Sequence, residues 1–114
     1  MENTTWADTI DVAVTVCDRD GRILEMNEKS KATFAKDGGG ALVGRSLFDC
    51  HGPASAALIR QLVADGRSNT YTVEKGGIRK LICQTPWYAG GAVAGLVELS
   101  IVLPEGMPHR VRKE

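Results

Sequence analysis

The spacing of apolar residues predicts strands at the beginning of the chain. Residues 12–16 form a β-branched run with no helical period, which is typical of a strand. A turn sequence with a glycine follows at residues 18–21, and residues 22–26 then alternate in polarity. These two segments therefore predict a β-hairpin.

The middle of the chain has helical spacing. Asn27 is suited to cap a helix over residues 28–36, which we expect to end in a flexible loop at glycines 38–40. Residues 41–48 predict a short apolar connector. A second helix is predicted over residues 53–65, because leucines and other apolar residues recur four positions apart and form one stripe.

The last third predicts three more strands, at residues 70–74, 78–88 and 92–103, separated by glycine pairs that favour hairpin turns. Pro86 lacks an amide donor, so we expect it at an edge-facing or bulged position. In the last strand, apolar side chains share one phase with Gly95, whereas Glu98 and Ser100 have the other. This split supports a sheet with helices on one face.

The resulting element order is β-β-α-α-β-β-β. Strands on both sides of a helical middle indicate an α+β fold with a five-stranded antiparallel sheet and helices packed on one face. A chain of 114 residues is the length of one domain. We assign residues 11–103 to this domain, residues 1–10 to an N-terminal arm or short helix, and residues 104–114 to a basic tail or linker.

Composition and charge exclude several classes of protein. The chain has 14 basic and 14 acidic side chains, so its net charge of zero argues against a nucleic-acid binder. It contains no segment of about 20 apolar residues that could cross a membrane, and no secretory signal. Three cysteines without such a signal favour a reducing cytoplasm over a disulfide framework.

Two apolar residues in the N-terminal arm indicate a contact with another molecule. Trp6 and Ile10 stand in an otherwise polar segment, and an exposed tryptophan is a frequent anchor of protein interfaces. We predict a homodimer that uses residues 2–10 and the outer face of the sheet.

The ordered set of motifs resembles the PAS sensor domain over residues 10–103. The resemblance is carried by residues 14–27 (VTVCDRDGRILEMN), by the connector at 43–47 (VGRSL), and by the glycines at 90–91 and 95. It implies a sensory module that binds a small ligand or a protein partner, such as an effector, and signals through association. Residues 100–103 lack the family's usual Asp-Ile-Thr ending, and both a free-standing domain and one excised from a longer sensor remain open.

The resemblance also implies a ligand pocket between the inner sheet face and the helical middle. A small organic ligand, or none, is favoured there; haem with His51 as its axial ligand is an alternative, and so is redox sensing through Cys50. The motif of a flavin photoreceptor is missing, and no converging groups suggest an enzyme. The pocket candidates, most of which suit a packed core equally well, are Phe34, Leu47, His51, Leu58, Leu62, Tyr71, Leu81, Cys83 and Trp87.

Overall fold

A computed structural model of the protein describes residues 5–49 and 52–113. Within these residues the chain forms three α-helices and five strands. In chain order they are α1 (Trp6–Thr9), β1 (Ala13–Asp18), β2 (Ile23–Met26), α2 (Glu28–Thr33), α3 (Pro53–Asp65), β3 (Asn69–Lys75), β4 (Ile78–Ala89) and β5 (Ala92–Leu103).

The five strands form one antiparallel sheet with the order β2-β1-β5-β4-β3. The C-terminal strand β5 therefore lies in the middle, between the N-terminal hairpin and the C-terminal strands. Helices α2 and α3 pack on the sheet. This arrangement confirms the predicted α+β class, with its five-stranded antiparallel sheet.

Helix α2 begins where the sequence indicates but ends earlier than expected. The side chain of Asn27 caps it by accepting a hydrogen bond from the amide of Ser30 at 3.0 Å. The helix ends at Thr33, and two short 3₁₀ turns follow at Ala35–Asp37 and Gly39–Leu42. Because the second turn starts in the glycine run and buries Gly39, the expected flexible loop is wrong.

Helix α3 has the predicted bounds within one residue, but its buried stripe is narrower than the sequence suggests. Ile59, Leu62 and Val63 are buried, and they pack with Cys17 and Leu96 of the sheet. By contrast, Leu58 is 38% exposed. The core therefore uses one leucine of the predicted i,i+4 pair and leaves the other at the surface.

The strand register assigns residues to the two faces of the sheet. Thr15 pairs with Glu98, and Glu98 pairs with Gln84. Cross-strand partners share a face, and Cys17 with its partner Leu96 contacts helix α3. We call this helix-covered side the inner face.

The opposite side, which we call the outer face, is rich in aliphatic residues. None of its apolar side chains is buried, and none belongs to the core clusters beneath the helices. The apolar residues of the outer face on β1, β4 and β5 include Val14, Val16, Leu81, Cys83, Trp87, Val97, Leu99 and Ile101.

A bulge near the end of the sheet changes the alternation. The register of β4 with β5 shifts between Trp87 and Tyr88, so Val93 packs against the inner core although Val97 and Leu99 face outward. Pro86 lies one residue before the shift and beyond the last residue that pairs with β3. Its missing donor therefore costs the sheet nothing, as its sequence position predicts.

Gly95 lies where three strands approach closely. A Cβ atom at this position would overlap the carbonyl oxygen of Cys17. Without a side chain there, the indole N–H of Trp87 reaches past β5 and donates to that same carbonyl at 2.9 Å. Strand β4 is thus joined directly to β1, although β5 separates them.

Candidate functional site

A row of polar side chains crosses the inner face beneath the helices. Asn69 donates from its side-chain amide to the Gln84 oxygen at 3.1 Å, and Gln84 donates to Glu98 at 3.0 Å. At the other end, the hydroxyl of Thr15 shares a 2.6 Å hydrogen bond with that of Ser30 in α2. The row therefore runs across four strands and reaches a helix.

A small cavity of about 20 Å³ adjoins this row and is partly open to solvent. This is room for about one water molecule. Its wall is mostly apolar, with polar groups on the sheet side, and consists of Thr15, Cys17, Leu47, Ile59, Gln84, Leu96 and Glu98. An apolar cavity with a few converging polar groups is the usual character of a small-molecule site.

The pKa values of two side chains near the cavity, Cys17 and Tyr71, are shifted by their surroundings. Burial raises the pKa of the Cys17 thiol, and the charges of Asp18 and Glu98 act in the same direction. Burial also raises the pKa of Tyr71, with a further contribution from the Glu98 carboxylate. The strand register places Tyr71 on the same face as Glu98, because Tyr71 pairs with Ile82 and Ile82 has the phase of Gln84.

The predicted pocket residues are distributed over several environments. Leu47 lines the cavity, and Leu62 is fully buried in the core beside it. Phe34 is half-buried and packs against the cluster of Ile23, Met26 and Leu42. Tyr71 is 42% exposed at the margin of the inner face, and Leu58 is exposed on α3.

Three of the predicted pocket residues lie on the other side of the sheet. Leu81, Cys83 and Trp87 have the outer-face phase of β4, so they cannot line a cavity beneath the helices. These three side chains do share one face of β4, but the prediction that this face lines the pocket was wrong. His51 and Cys50, the candidates for haem and redox chemistry, lie outside the described residues.

The polar residues of the inner face were not among the sequence candidates. Gln84 is buried, Thr15 and Ser30 are buried, and Glu98 is half-buried. A polar residue between aliphatic neighbours in a strand is the signal that could have indicated Glu98, in Val97-Glu98-Leu99. Such a residue is either exposed or held by partners, and here the partners are on adjacent strands.

The cavity beside the polar row does not fit a haem or a flavin. A cofactor-sized pocket measures roughly 300 Å³ or more, whereas this cavity measures about 20 Å³. Residues 5–49 and 52–113 contain no cluster of three or more side chains suited to hold a metal ion. In the same residues, no helix has the length and apolar character needed to cross a membrane.

The N-terminal arm is attached to α2. The Asn27 side-chain amide donates to the carbonyls of Ala7 in α1 and Val12, at 2.9 and 2.8 Å. Trp6 remains 76% exposed and Ile10 half-buried. The arm thus presents an aromatic ring to solvent from a fixed position.

Comparison with known proteins places this architecture in a family. The family model described as "PAS fold" matches residues 7–104. No curated protein matches the chain.

Several solved structures share the architecture. A C-terminal domain from Streptococcus mutans has a TM-score of 0.68 at 16% identity, with 84% of this chain and 78% of that chain covered. The PAS domain of the histidine kinase ThkA has a TM-score of 0.63 at 19% identity, with 79% and 97% covered. The Aer2 receptor from Vibrio cholerae, described as a dual PAS-heme oxygen sensor, has a TM-score of 0.64 at 14% identity, with 82% and 95% covered. At these identities the likeness concerns the fold.

Proposed function

Because the chain belongs to the PAS family, we propose that it is a sensory module that signals by association. Its outer face binds a second copy of the chain, and a small organic ligand on the inner face shifts that equilibrium. The observation that carries this proposal is the outer face itself, where aliphatic side chains from three adjacent strands remain half-exposed.

The size of the outer face suits a dimer. The five strands are 4 to 12 residues long, and at about 3.3 Å per residue and about 4.8 Å between strands they give each copy about 650 Å². Each partner in a standard interface contributes roughly 800 Å², and the N-terminal arm with Trp6 supplies additional area. A formal net charge of zero adds no long-range repulsion between two copies.

A physical link between the two faces supports control by a ligand. The side chain of Cys17 lines the cavity, while its carbonyl oxygen accepts the indole N–H of Trp87, an outer-face residue. A ligand that displaces β1 at Cys17 therefore acts on a hydrogen bond of the outer face. It shifts the association equilibrium by its difference in affinity for the two states.

Sedimentation equilibrium with two matched variants tests the dimer. Leu99→Lys places a charge at the centre of the outer face, and Val102→Lys makes the same change on the same strand at an exposed position of the opposite phase. We expect dimers for the wild type and for Val102→Lys, and monomers for Leu99→Lys, with Ile101→Thr as a milder second variant. A wild type that stays monomeric at several hundred micromolar would contradict the proposal.

The N-terminal arm provides a second test. If Trp6 anchors the interface, Trp6→Ala should weaken the dimer about tenfold, the effect of losing a hot-spot contact. Ile10→Ala should have a smaller effect in the same direction, because Ile10 is half-buried within its own chain. Equal dimer affinity in all three proteins would restrict the interface to the sheet.

A further inference from the structure

The carboxylate of Glu98 is only partly satisfied by its surroundings. Its Oε2 atom accepts the hydrogen bond from Gln84, while its Oε1 atom has no hydrogen-bond or ion-pair partner among residues 5–49 and 52–113. The side chain is half-buried and forms part of the cavity wall. Since no buried side-chain oxygen of the described residues lacks a hydrogen-bond partner, the Oε1 atom is accessible to solvent. It can therefore accept a hydrogen bond from a group that enters the cavity from outside.

The protein provides no cation for this carboxylate within its described residues. The three ion pairs found there all lie at the surface, and none includes Glu98. Lys80 has the inner-face phase of β4, but it pairs with Val102, four residues from Glu98 along β5. This spacing is about 13 Å of strand.

The groups around Glu98 suit a positively charged nitrogen. Tyr71 pairs with Ile82, which pairs with Ser100, two residues from Glu98 along β5. Its half-exposed aromatic ring therefore supplies a partner for cations at the margin of the site. Thr15 offers a hydroxyl in the cavity wall, and Gln84 holds the carboxylate in place from the side. An ammonium group is attracted both to a carboxylate and to the face of an aromatic ring.

We infer that the inner face binds a small amine, with Glu98 as the counter-ion of its ammonium group. The cavity has room for a group about the size of one water molecule, so the ammonium enters it and the rest of the ligand lies outside. This inference rests on the proposed sensory function and adds to it the chemical class of the ligand.

Three molecules of nearly equal shape test the inference: propylamine, 1-propanol and propionate. Binding is followed by two-dimensional ¹H–¹⁵N NMR at the backbone amides of Thr15, Gln84, Leu96 and Glu98. We expect propylamine to bind at least about tenfold more tightly than 1-propanol, because its ammonium group forms an ion pair with the carboxylate, whereas the uncharged hydroxyl only donates a hydrogen bond. Propionate should bind weakest, since it brings a second negative charge.

Variants separate the role of the charge from that of the cavity. Glu98→Gln should weaken propylamine binding at least about tenfold and weaken 1-propanol binding much less, because only the amine loses an ion pair. Glu25→Gln, at an exposed position on β2, is the matched control and should change neither. Tyr71→Leu keeps apolar bulk at a partly exposed site and should weaken propylamine about threefold.

Two results would overturn the inference: equal affinities for the three molecules, or unchanged propylamine affinity in Glu98→Gln. Sedimentation equilibrium on the same samples distinguishes this failure from failure of the proposed function. Dimers without selective amine binding would refute the amine site and leave the association function intact. Amine binding by a chain that remains monomeric would refute the association function alone.

Discussion

The two faces of the sheet differ in how their side chains are covered. In the common arrangement of antiparallel sheets, the apolar face packs on the core and the polar face meets water. Here the helices cover a face that carries Thr15, Gln84 and Glu98 among apolar core residues, while Val97 and Leu99 lie on the face without helices. Covered polar side chains require internal partners, and an uncovered apolar patch favours an external one.

The inner face meets its requirement with side chains from neighbouring strands. Within the described residues, no buried side-chain nitrogen or oxygen lacks a hydrogen-bond partner. The outer face has no such internal solution, because aliphatic groups are satisfied only by being covered. The inner face is therefore suited to binding a ligand through polar groups, and the outer face is suited to association with another protein surface.

The largest expected effect concerns the reactivity of two cysteines, one on each face of the sheet. Cys17 is 1% exposed on the inner face, and Cys83 is half-buried on the outer face. In a Cys50→Ser background, Cys17 should react with a thiol reagent at least about a thousandfold more slowly than Cys83, because it requires opening of the structure. Mass spectrometry after timed labelling measures both rates.

Protein concentration sharpens the labelling experiment. If a second copy covers the outer face, labelling of Cys83 should slow as concentration rises, whereas labelling of Cys17 should not change. Similar rates for the two thiols at low concentration would show that the faces do not differ in access.

The second test compares two leucines of α3. Leu62 is fully buried, and Leu58 is 38% exposed. Leu62→Ala should lower the free energy of unfolding by about 3 kcal/mol, and Leu58→Ala by less than about 1 kcal/mol, because only the first leaves a cavity. Urea denaturation measures both, and equal losses would contradict the described orientation of α3.

The third test compares hydroxyl pairs on the two faces. Thr15 and Ser30 share a buried hydrogen bond, whereas Ser68 donates to Thr85 at an exposed position. Ser30→Ala should cost about 1–2 kcal/mol of unfolding free energy, since it leaves the Thr15 hydroxyl without its partner. Ser68→Ala should change stability by less than about 0.5 kcal/mol.

A double variant controls for the change in volume. Thr15→Val combined with Ser30→Ala should cost less than the sum of the two single variants, by about 1 kcal/mol. Additive losses would mean that the two hydroxyls do not stabilise each other.

The smallest expected effect concerns the acidity of Tyr71. The negative charge of Glu98 disfavours the phenolate, so Glu98→Gln should lower the pKa of Tyr71 toward its ordinary value while burial keeps part of the increase. Ultraviolet titration in a Tyr88→Phe background follows this single tyrosine. Glu25→Gln should have no effect on the pKa of Tyr71. An unchanged pKa in Glu98→Gln would show that the carboxylate of Glu98 does not act on the Tyr71 hydroxyl.

Helices and strands that are bounded by glycine or proline could be predicted almost to the residue. Strand β5 occupies Ala92–Leu103 as expected, because Gly90 and Gly91 adopt positive φ angles of 59° and 80° before it and Pro104 follows it. Helix α3 similarly ends at Gly66, which has a left-handed conformation. The backbone preferences of neighbouring residues determine such boundaries, so the sequence alone is enough to predict them.

The candidate site was less predictable, for a physical reason. Alternation shows that Cys83 and Leu81 share a face and that Gln84 lies on the other, but it does not show which face the helices cover. The bulge near Val93 adds a change of phase that no alternation pattern contains. The partners of Glu98 come from another strand, so their contact depends on register, which a single sequence does not state.

Asn27 is a junction at which three segments of the chain depend on one side chain. Its oxygen accepts from the amides of Val14 and Ser30, and its nitrogen donates to the carbonyls of Ala7 and Val12. Aspartate lacks the two donors, serine lacks the reach, and glutamine is longer by a methylene group. Each of these replacements would therefore loosen the arm, the first strand and α2 from one another at the same time.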